Sequence, residues 1–544
     1  MQAADVLIGV GCAALTASIA WAAVAWRRAG VWRGQDLLRA TIPLFVFLAP
    51  VAVLLGAKGH CEDWDASRLG AAVAWVKGFS VYAGLNAGAV QTTMYPPGWL
   101  LAYAPTAIAK TPAGVMQLGN LLAPLYFILP FVCAHRLLRI GRAAALFALA
   151  AILFVAGQVE SLWWACFSPH ADAPALGFGL LAVLLLQAGG RASVRGAGWM
   201  LAAAIVAGLS VWCKQVMLPL LPALIAWLLI SGQPRRALQL AGMLGVVGIV
   251  TMGISLCLAS WDALWLNLVV IPGNYPWKGK LPFNVLKSGL DLARMGLAPA
   301  IVVAGNAVLA ACVLPRQDFG AWVRGGAWAP ALVATLFLAP MSAVGFVKEG
   351  GALNSFSPAH YFLFAAAILQ WVELMAAVNR SNTVEHRLRD VLAWGMAAVW
   401  WCMGGIWMLQ SMQDLRYGLH DLRETLCQKA YDHLVSGDKP RAFFPAYPLA
   451  HLLAEEKLYH YVHAMADRDQ SGRVPIGVEQ LAQHLPADAE VVCWTDRQFG
   501  DEYGRGAVYF PRYNRPVPIP ALPDFRCYQR EAVEAPAGAA VGPL

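Results

Sequence analysis

The chain reads as a polytopic α-helical membrane protein, on three observations. Only 13% of its 544 residues are charged and 59% are hydrophobic, whereas soluble globular domains carry roughly 25% charged residues. The apolar residues come in runs of about 16 to 23, long enough to cross a bilayer core as helix, not in the short alternating segments of a β-barrel. Arginines gather in every second connection, as at Arg136, Arg139 and Arg142, at Arg235 and Arg236, and at Arg380, Arg387 and Arg389. That is the positive-inside pattern, so the net charge of +8 reports topology and not a nucleic-acid partner.

About twelve spans follow, near 4–26, 41–57, 115–133, 143–159, 172–188, 197–213, 215–231, 238–260, 296–314, 327–347, 359–378 and 389–410. The first has no basic segment before it and exceeds a signal-peptide core, so it reads as a retained span. Arg-rich loops inside place the N-terminus, the long loops 57–114 and 260–295 and the polar C-terminal region outside. The sixth and seventh spans meet at Trp212-Cys213-Lys214-Gln215 as a tight hairpin or one broken helix. The outer loops hold Pro and Gly turns between short helices, some lying flat at the interface. The division is a transmembrane domain over 1–411 and an outer domain over 412–544, long enough for a small α/β unit. In that unit Ala489 to Trp494 reads as a buried strand and Leu449 to Met465 as a helix. The eleven cysteines show no metal-ligand spacing. Most are apolar fillers, while Cys493 and Cys527 become a candidate disulfide if their region is exported.

Polar residues misplaced for a membrane protein collect on the outer side. Glu62-Asp63-Trp64-Asp65 follows the second span, where carboxylates are costly unless solvated, paired or working. Asp65 heads an amphipathic helix with Leu69, Val73 and Val76 on one face; helix capping is its plain alternative. Thirty residues on, Met94-Tyr95-Pro96-Pro97-Gly98 forms a rigid turn that can fold back over the cluster. His170 and Asp172 open the fifth span, with capping again the plain reading of Asp172. Lys214, beside Gln215, either snorkels to the interface or offers a cation to a phosphate. Lys348, Gly350, Gly351 and Asn354 follow the tenth span, and His360-Tyr361 opens the eleventh. Glycosyl transfer from a lipid-phosphate sugar needs a base for an acceptor hydroxyl, cations for the leaving phosphate and a path for an isoprenoid tail, and this set offers the first two at one membrane face.

Here the chain resembles the GT-C integral-membrane glycosyltransferases, the group with protein mannosyltransferases and lipid A aminoarabinose transferases. Asp65-Ala-Ser-Arg68-Leu-Gly is similar to the family's Asp-Glu-x-Arg-Tyr-Ala, and Tyr95-Pro96-Pro97, Asp172, Lys214-Gln215 and Gly350-Gly351 with Asn354 follow in order over the first 380 residues or so. The resemblance implies that Asp65 positions or deprotonates the acceptor, that Asp172 supports it, and that cations such as Lys214 and Lys348 meet the donor phosphate. Two departures stand out. Tyr95 occupies the place where the aminoarabinose enzymes have Lys, and Ala66 follows Asp65 while Glu62 and Asp63 precede it, so Asp63 is the alternative base. Glu62, Arg68, Tyr95, His170, Gln215, Asn354, His360 and Tyr361 are the candidate substrate-binding residues. The expected partners are a polyprenyl-phosphate sugar donor, a lipid, glycan or protein acceptor and membrane lipids, at the periplasmic face of a bacterial inner membrane. No cofactor is expected; a magnesium or manganese ion on Glu62, Asp63, Asp65 and Asp172 is the alternative. The rivals are a transporter or flippase, disfavoured because the charges sit at one face and no repeat is visible, and a ligase or polymerase using a diphosphate-linked donor.

Overall fold

The computed structural model describes residues 62–91, 93–191, 196–380, 425–470, 481, 483–495, 509–510 and 512–530. The spans expected near 4–26, 41–57 and 389–410 lie outside them. Among the described residues six helices are long and apolar enough to cross a membrane, and up to eight if each of two bent pairs is one span.

The chain enters at α1 (Glu62–Val76), which is helical before Asp65 is reached. An amphipathic surface helix was expected there. Instead Ala66, Leu69 and the run Ala71 to Ala74 are fully buried. The small residues explain this: Ala and Gly let neighbours approach both sides, and a Cβ at Gly70 would touch Leu449, far along the chain, at 3.4 Å. A loop then leads to the short α2 (Gly98–Tyr103) and the long α3 (Pro112–Leu138). Thr111 caps α3 by accepting from the Gly114 N–H at 3.2 Å, and Pro112 fits the first turn, where no N–H is needed.

After α4 (Arg142–Gln158) and α5 (Glu160–Phe167), which bend by 111° at Val159, the span α6 (Asp172–Arg191) takes the centre of the bundle. It packs against α3 and α7 (Gly196–Cys213). Gly177 permits this, since a Cβ there would lie 2.0 Å from the Tyr126 carbonyl oxygen. Between α7 and α8 (Leu220–Ile230) the helix breaks at Lys214. α7 packs on α6, α8 on the later α15 (Trp328–Val347), and both on the helix that follows, with Lys214 in extended backbone at the junction. The peripheral α9 (Pro234–Leu258) shows apolar side chains such as Val246 and Ile249 outward, as a bilayer-facing helix would.

The second outer loop is built of α10 (Trp261–Trp265), a π-helical turn, α11 (Ile271–Asn274) and α12 (Leu281–Met295). Phe283, Leu286 and Leu290 line an exposed apolar stripe on α12, the pattern of a helix lying in the interface. The chain continues through α13 (Leu297–Val313), α14 (Arg316–Gly325) and α15 to α16 (Ser357–Arg380), which is buried along most of its length.

The C-terminal region holds α17 (Leu426–Ser436), α18 (Pro448–Glu455), α19 (Val462–Gln470) and four strands: β1 (Ala442–Phe443), β2 (Val491–Trp494), β3 (Tyr513–Val517) and β4 (Arg526–Arg530). The sheet order is β1-β2-β4-β3, with β1 parallel to β2 and the other pairs antiparallel. Cys493 faces Cys527 across β2 and β4, and the two form a disulfide. The helix expected over 449–465 is broken instead. Glu456 takes a left-handed conformation (φ 55°) and ends α18, and the next residues run extended against the first outer loop. Tyr461 N–H donates to the Val90 carbonyl at 3.0 Å, Val90 N–H to His460 Nδ1 at 3.0 Å, and Gln91 Nε2 to the Tyr459 carbonyl at 2.6 Å. These exchanged bonds, worth more to the chain than continuing one helix, make Tyr459 and His460 docking residues.

Candidate active site

The site is organised around Asp172, the first residue of α6. Capping does not account for it, because its carboxylate reaches four side chains. Oδ1 accepts from Lys214 Nζ at 2.5 Å and from Ser357 Oγ at 3.3 Å; Oδ2 accepts from Asn354 Nδ2 at 3.2 Å and from His170 Nδ1. Lys214 is 5% exposed and sits in the break after α7, so it does not snorkel to the interface. A buried ion pair repays its desolvation only when the remaining polar positions are satisfied, and here Asn354, Ser357 and His170 satisfy them.

Tyr95 closes this knot from above. Its hydroxyl lies 2.9 Å from His170 Nε2, and its ring stands over the Lys214 ammonium at 5.4 Å. With Nδ1–H given to Asp172, Nε2 carries the lone pair and Tyr95 is the donor. Burial, aided by Arg68 and Lys214, holds His170 down at about 3 against the upward pull of Asp172, so the imidazole is neutral. The turn carrying Tyr95 is fixed by the Tyr82 hydroxyl donating to the Tyr95 carbonyl (2.7 Å) and by Gln215 Nε2 donating to the Met94 carbonyl (2.8 Å). Gly98 allows the close approach: a Cβ there would lie 2.8 Å from the Trp212 carbonyl group.

Asp65 sits beside the knot, 2% exposed. Its Oδ1 accepts from Ser168 Oγ at 2.7 Å and lies 3.7 Å from Arg68 Nη1, which also donates to Ser168 at 3.4 Å. The 168–172 segment therefore links the two carboxylates, Ser168 holding Asp65 and His170 holding Asp172. Glu62 and Asp63 occupy the first turn of α1. Among the described residues, no group of three or more His, Cys, Asp or Glu side chains is placed to hold a metal ion.

Three expected site residues are engaged elsewhere. Lys348 Nζ donates to the carbonyls of Pro272 (3.1 Å) and Gly273 (2.7 Å) and stands 4.6 Å from the Trp277 ring centre, tying the loop after α15 to the second outer loop. His360 lies between Ser161 Oγ (2.8 Å) and the Leu292 carbonyl (3.2 Å), and Tyr361 donates to the Phe127 carbonyl at 2.6 Å inside the bundle. Sequence reasoning passed over Ser168, Ser357 and Tyr82. Hydroxyl groups are too common in loops to stand out, and only the fold shows which carboxylate or turn they serve.

An apolar groove of about 330 Å³ begins at Pro96, next to the Tyr95 and Lys214 contact, and runs between α7, α9 and α10. Trp212, Leu218, Leu244, Met252 and Trp265 are among its walls. The groove's Pro96 wall is the residue after Tyr95, so an apolar groove lies beside the charged, hydrogen-bonded centre.

No protein-family model matches the chain, and no curated protein matches it in sequence. Among solved structures, ArnT from Cupriavidus metallidurans bound to undecaprenyl phosphate is similar with a TM-score of 0.53 at 14% identity, over 92% of this chain and 99% of that one. The archaeal oligosaccharyltransferase AglB from Archaeoglobus fulgidus, in complex with an inhibitory peptide and a dolichol-phosphate, gives 0.39 at 11% identity, over 91% of this chain and 75% of that one, too remote to carry an argument. With its apolar spans, its buried polar centre at helix ends and this match over nearly the whole chain, the protein has the fold of the GT-C integral-membrane glycosyltransferases.

Proposed function

We propose that the protein transfers a sugar from a polyprenyl-monophosphate donor to a hydroxyl-bearing lipid, glycan or protein acceptor at the outer face of a bacterial inner membrane. The observation that carries this reading is that the Asp172–Lys214 knot, covered by Tyr95, lies beside an apolar groove that begins at the next residue, Pro96. A polyprenyl phosphate needs both in one place, a cation for its head and a dry channel for its tail. A transporter would hold its ionisable residues near mid-membrane. Here Asp172 is the first residue of its span and Lys214 follows the last residue of another.

In the proposed step, Asp65 accepts the proton of the acceptor hydroxyl. The acceptor oxygen bonds to the anomeric carbon, and the bond from that carbon to the phosphate oxygen breaks with inversion. Its electron pair leaves on the polyprenyl phosphate, whose added charge is met by Lys214 and Arg68. Asp172 orients Lys214 and, through His170, Tyr95. The Cys493–Cys527 disulfide supports placement on the periplasmic side, since such bonds persist in oxidising compartments.

The test compares envelope glycans, lipids and proteins by mass spectrometry in a strain lacking the protein and complemented with variants. Asp65→Asn is expected to insert and fold yet abolish the mass addition. Full activity in that variant with an inactive Asp63→Asn would move the base to Asp63. Two active variants would sink the assignment.

A further inference from the structure

The mechanism above leaves one carboxylate unused, and it comes from the opposite end of the chain. α19 packs against the first outer loop, with Arg468 donating to the carbonyls of Gly84 (2.7 Å) and Leu85 (3.4 Å) and His463 stacked on Trp64 at 4.8 Å between ring centres. From Val462 to Ala466, and again at Arg468, the helix is buried; Asp467 between them is partly accessible. Its carboxyl accepts a hydrogen bond from Tyr275 of the second outer loop and feels the charge of Arg68. Each of these contacts leads back to the site. The Tyr275 hydroxyl is 3.3 Å from Met94 Sδ, one residue before Tyr95, and Arg68 is 3.7 Å from Asp65.

Resting on the proposed transfer reaction, we infer that Asp467 is an acceptor-binding residue, supplied by the C-terminal region to the site. A carboxylate there accepts hydrogen bonds from groups flanking the attacking hydroxyl, so the acceptor it selects is polyhydroxylated, as a saccharide is, and offers more than one donor. Trp64 does not serve as a stacking platform for such a sugar, because His463 covers its ring and the Arg68 guanidinium lies 5.4 Å from the ring centre. Recognition falls to the polar groups. Burial pushes Asp467 up to about 6, against the downward pull of Tyr275 and Arg68, so at neutral pH it is a hydrogen-bond acceptor.

The experiment uses the full-length protein. Asp467→Asn, Asp467→Glu and Lys214→Met are each expressed in the strain lacking the protein, and purified into lipid nanodiscs to measure binding of undecaprenyl phosphate. Asp467→Asn is expected to lower the envelope mass addition at least tenfold while its undecaprenyl phosphate affinity stays within twofold of wild type, and Asp467→Glu to restore part of the loss. Lys214→Met is expected to show the converse weakness, losing affinity for undecaprenyl phosphate. Undiminished addition by Asp467→Asn, failure of Asp467→Glu to recover any loss, or a fall in undecaprenyl phosphate affinity with Asp467→Asn would each overturn the inference and leave the transfer reaction standing. A wild-type protein that adds no mass and binds no undecaprenyl phosphate would remove both.

Discussion

Lys214 and Asp172 are the residues whose roles are hardest to separate from folding. Each is almost fully buried, and the two are paired at 2.5 Å. Removing one partner of such a pair leaves an uncompensated charge, at a cost of about 3–5 kcal/mol, whereas replacing both by neutral groups is far milder. Thermal unfolding in detergent should therefore show Lys214→Met strongly destabilised and the double variant Asp172→Asn with Lys214→Met recovering most of the loss. A single variant melting with wild type would show that the pair holds nothing together. Lys348 is the instructive contrast. In sequence it is a second outer cation beside two glycines, equivalent in kind to Lys214. In the fold its ammonium is spent on the Pro272 and Gly273 carbonyls, because residues 276–278 and 347–349 pair as antiparallel backbone, with Lys278 N–H donating to the Val347 carbonyl at 2.8 Å.

Single elements were legible in the sequence where their neighbours were lipid or other spans, and misread where the neighbour lay far along the chain. The runs behind α3, α6 and α15 announce themselves by length and apolarity. α1 does not, since its alanine-rich face reads as half solvated until α18 is laid over it. Asp467 was silent for the same reason: nothing in an isolated polar helix says that it faces Tyr275. α18 carries its own test. His451 is fully buried, and its Nε2 accepts from Phe444 N–H at 3.1 Å, a bond that requires the unprotonated ring. Burial, with Arg441 near, holds it below its ordinary value despite its Glu455 partner. The unfolded chain thus takes up the proton first as pH falls. The contribution of His451 to stability is complete above about 6.5 and declines below that value. The melting temperature should drop between pH 7.5 and 5.5, and His451→Gln should melt lower at pH 7.5 with a flatter pH dependence. An unchanged slope in that variant would place the proton uptake elsewhere.

At the scale of the molecule, the C-terminal helices α17 and α18 pack on α1, whose Asp65 is joined through Ser168 to the segment that holds Asp172. The Cys493–Cys527 disulfide is the feature on which the proposed orientation can be tested. Peptide mapping of protein isolated from cells under non-reducing conditions should recover the two cysteines linked, while Cys166 and Cys213, buried in the bundle, stay reduced. Finding the pair reduced would place the sheet on the cytoplasmic side and reverse the proposed orientation. The docking of the C-terminal region on α1 also has a consequence in time. Lys77 meets Glu456 across a separation of 379 residues. A ribosome adding about 5–20 residues per second needs roughly 20–80 s to make that stretch. Through that interval the face of α1 that α18 later covers stays bare. The surroundings of Asp65 are therefore complete only once the last quarter of the chain has been made.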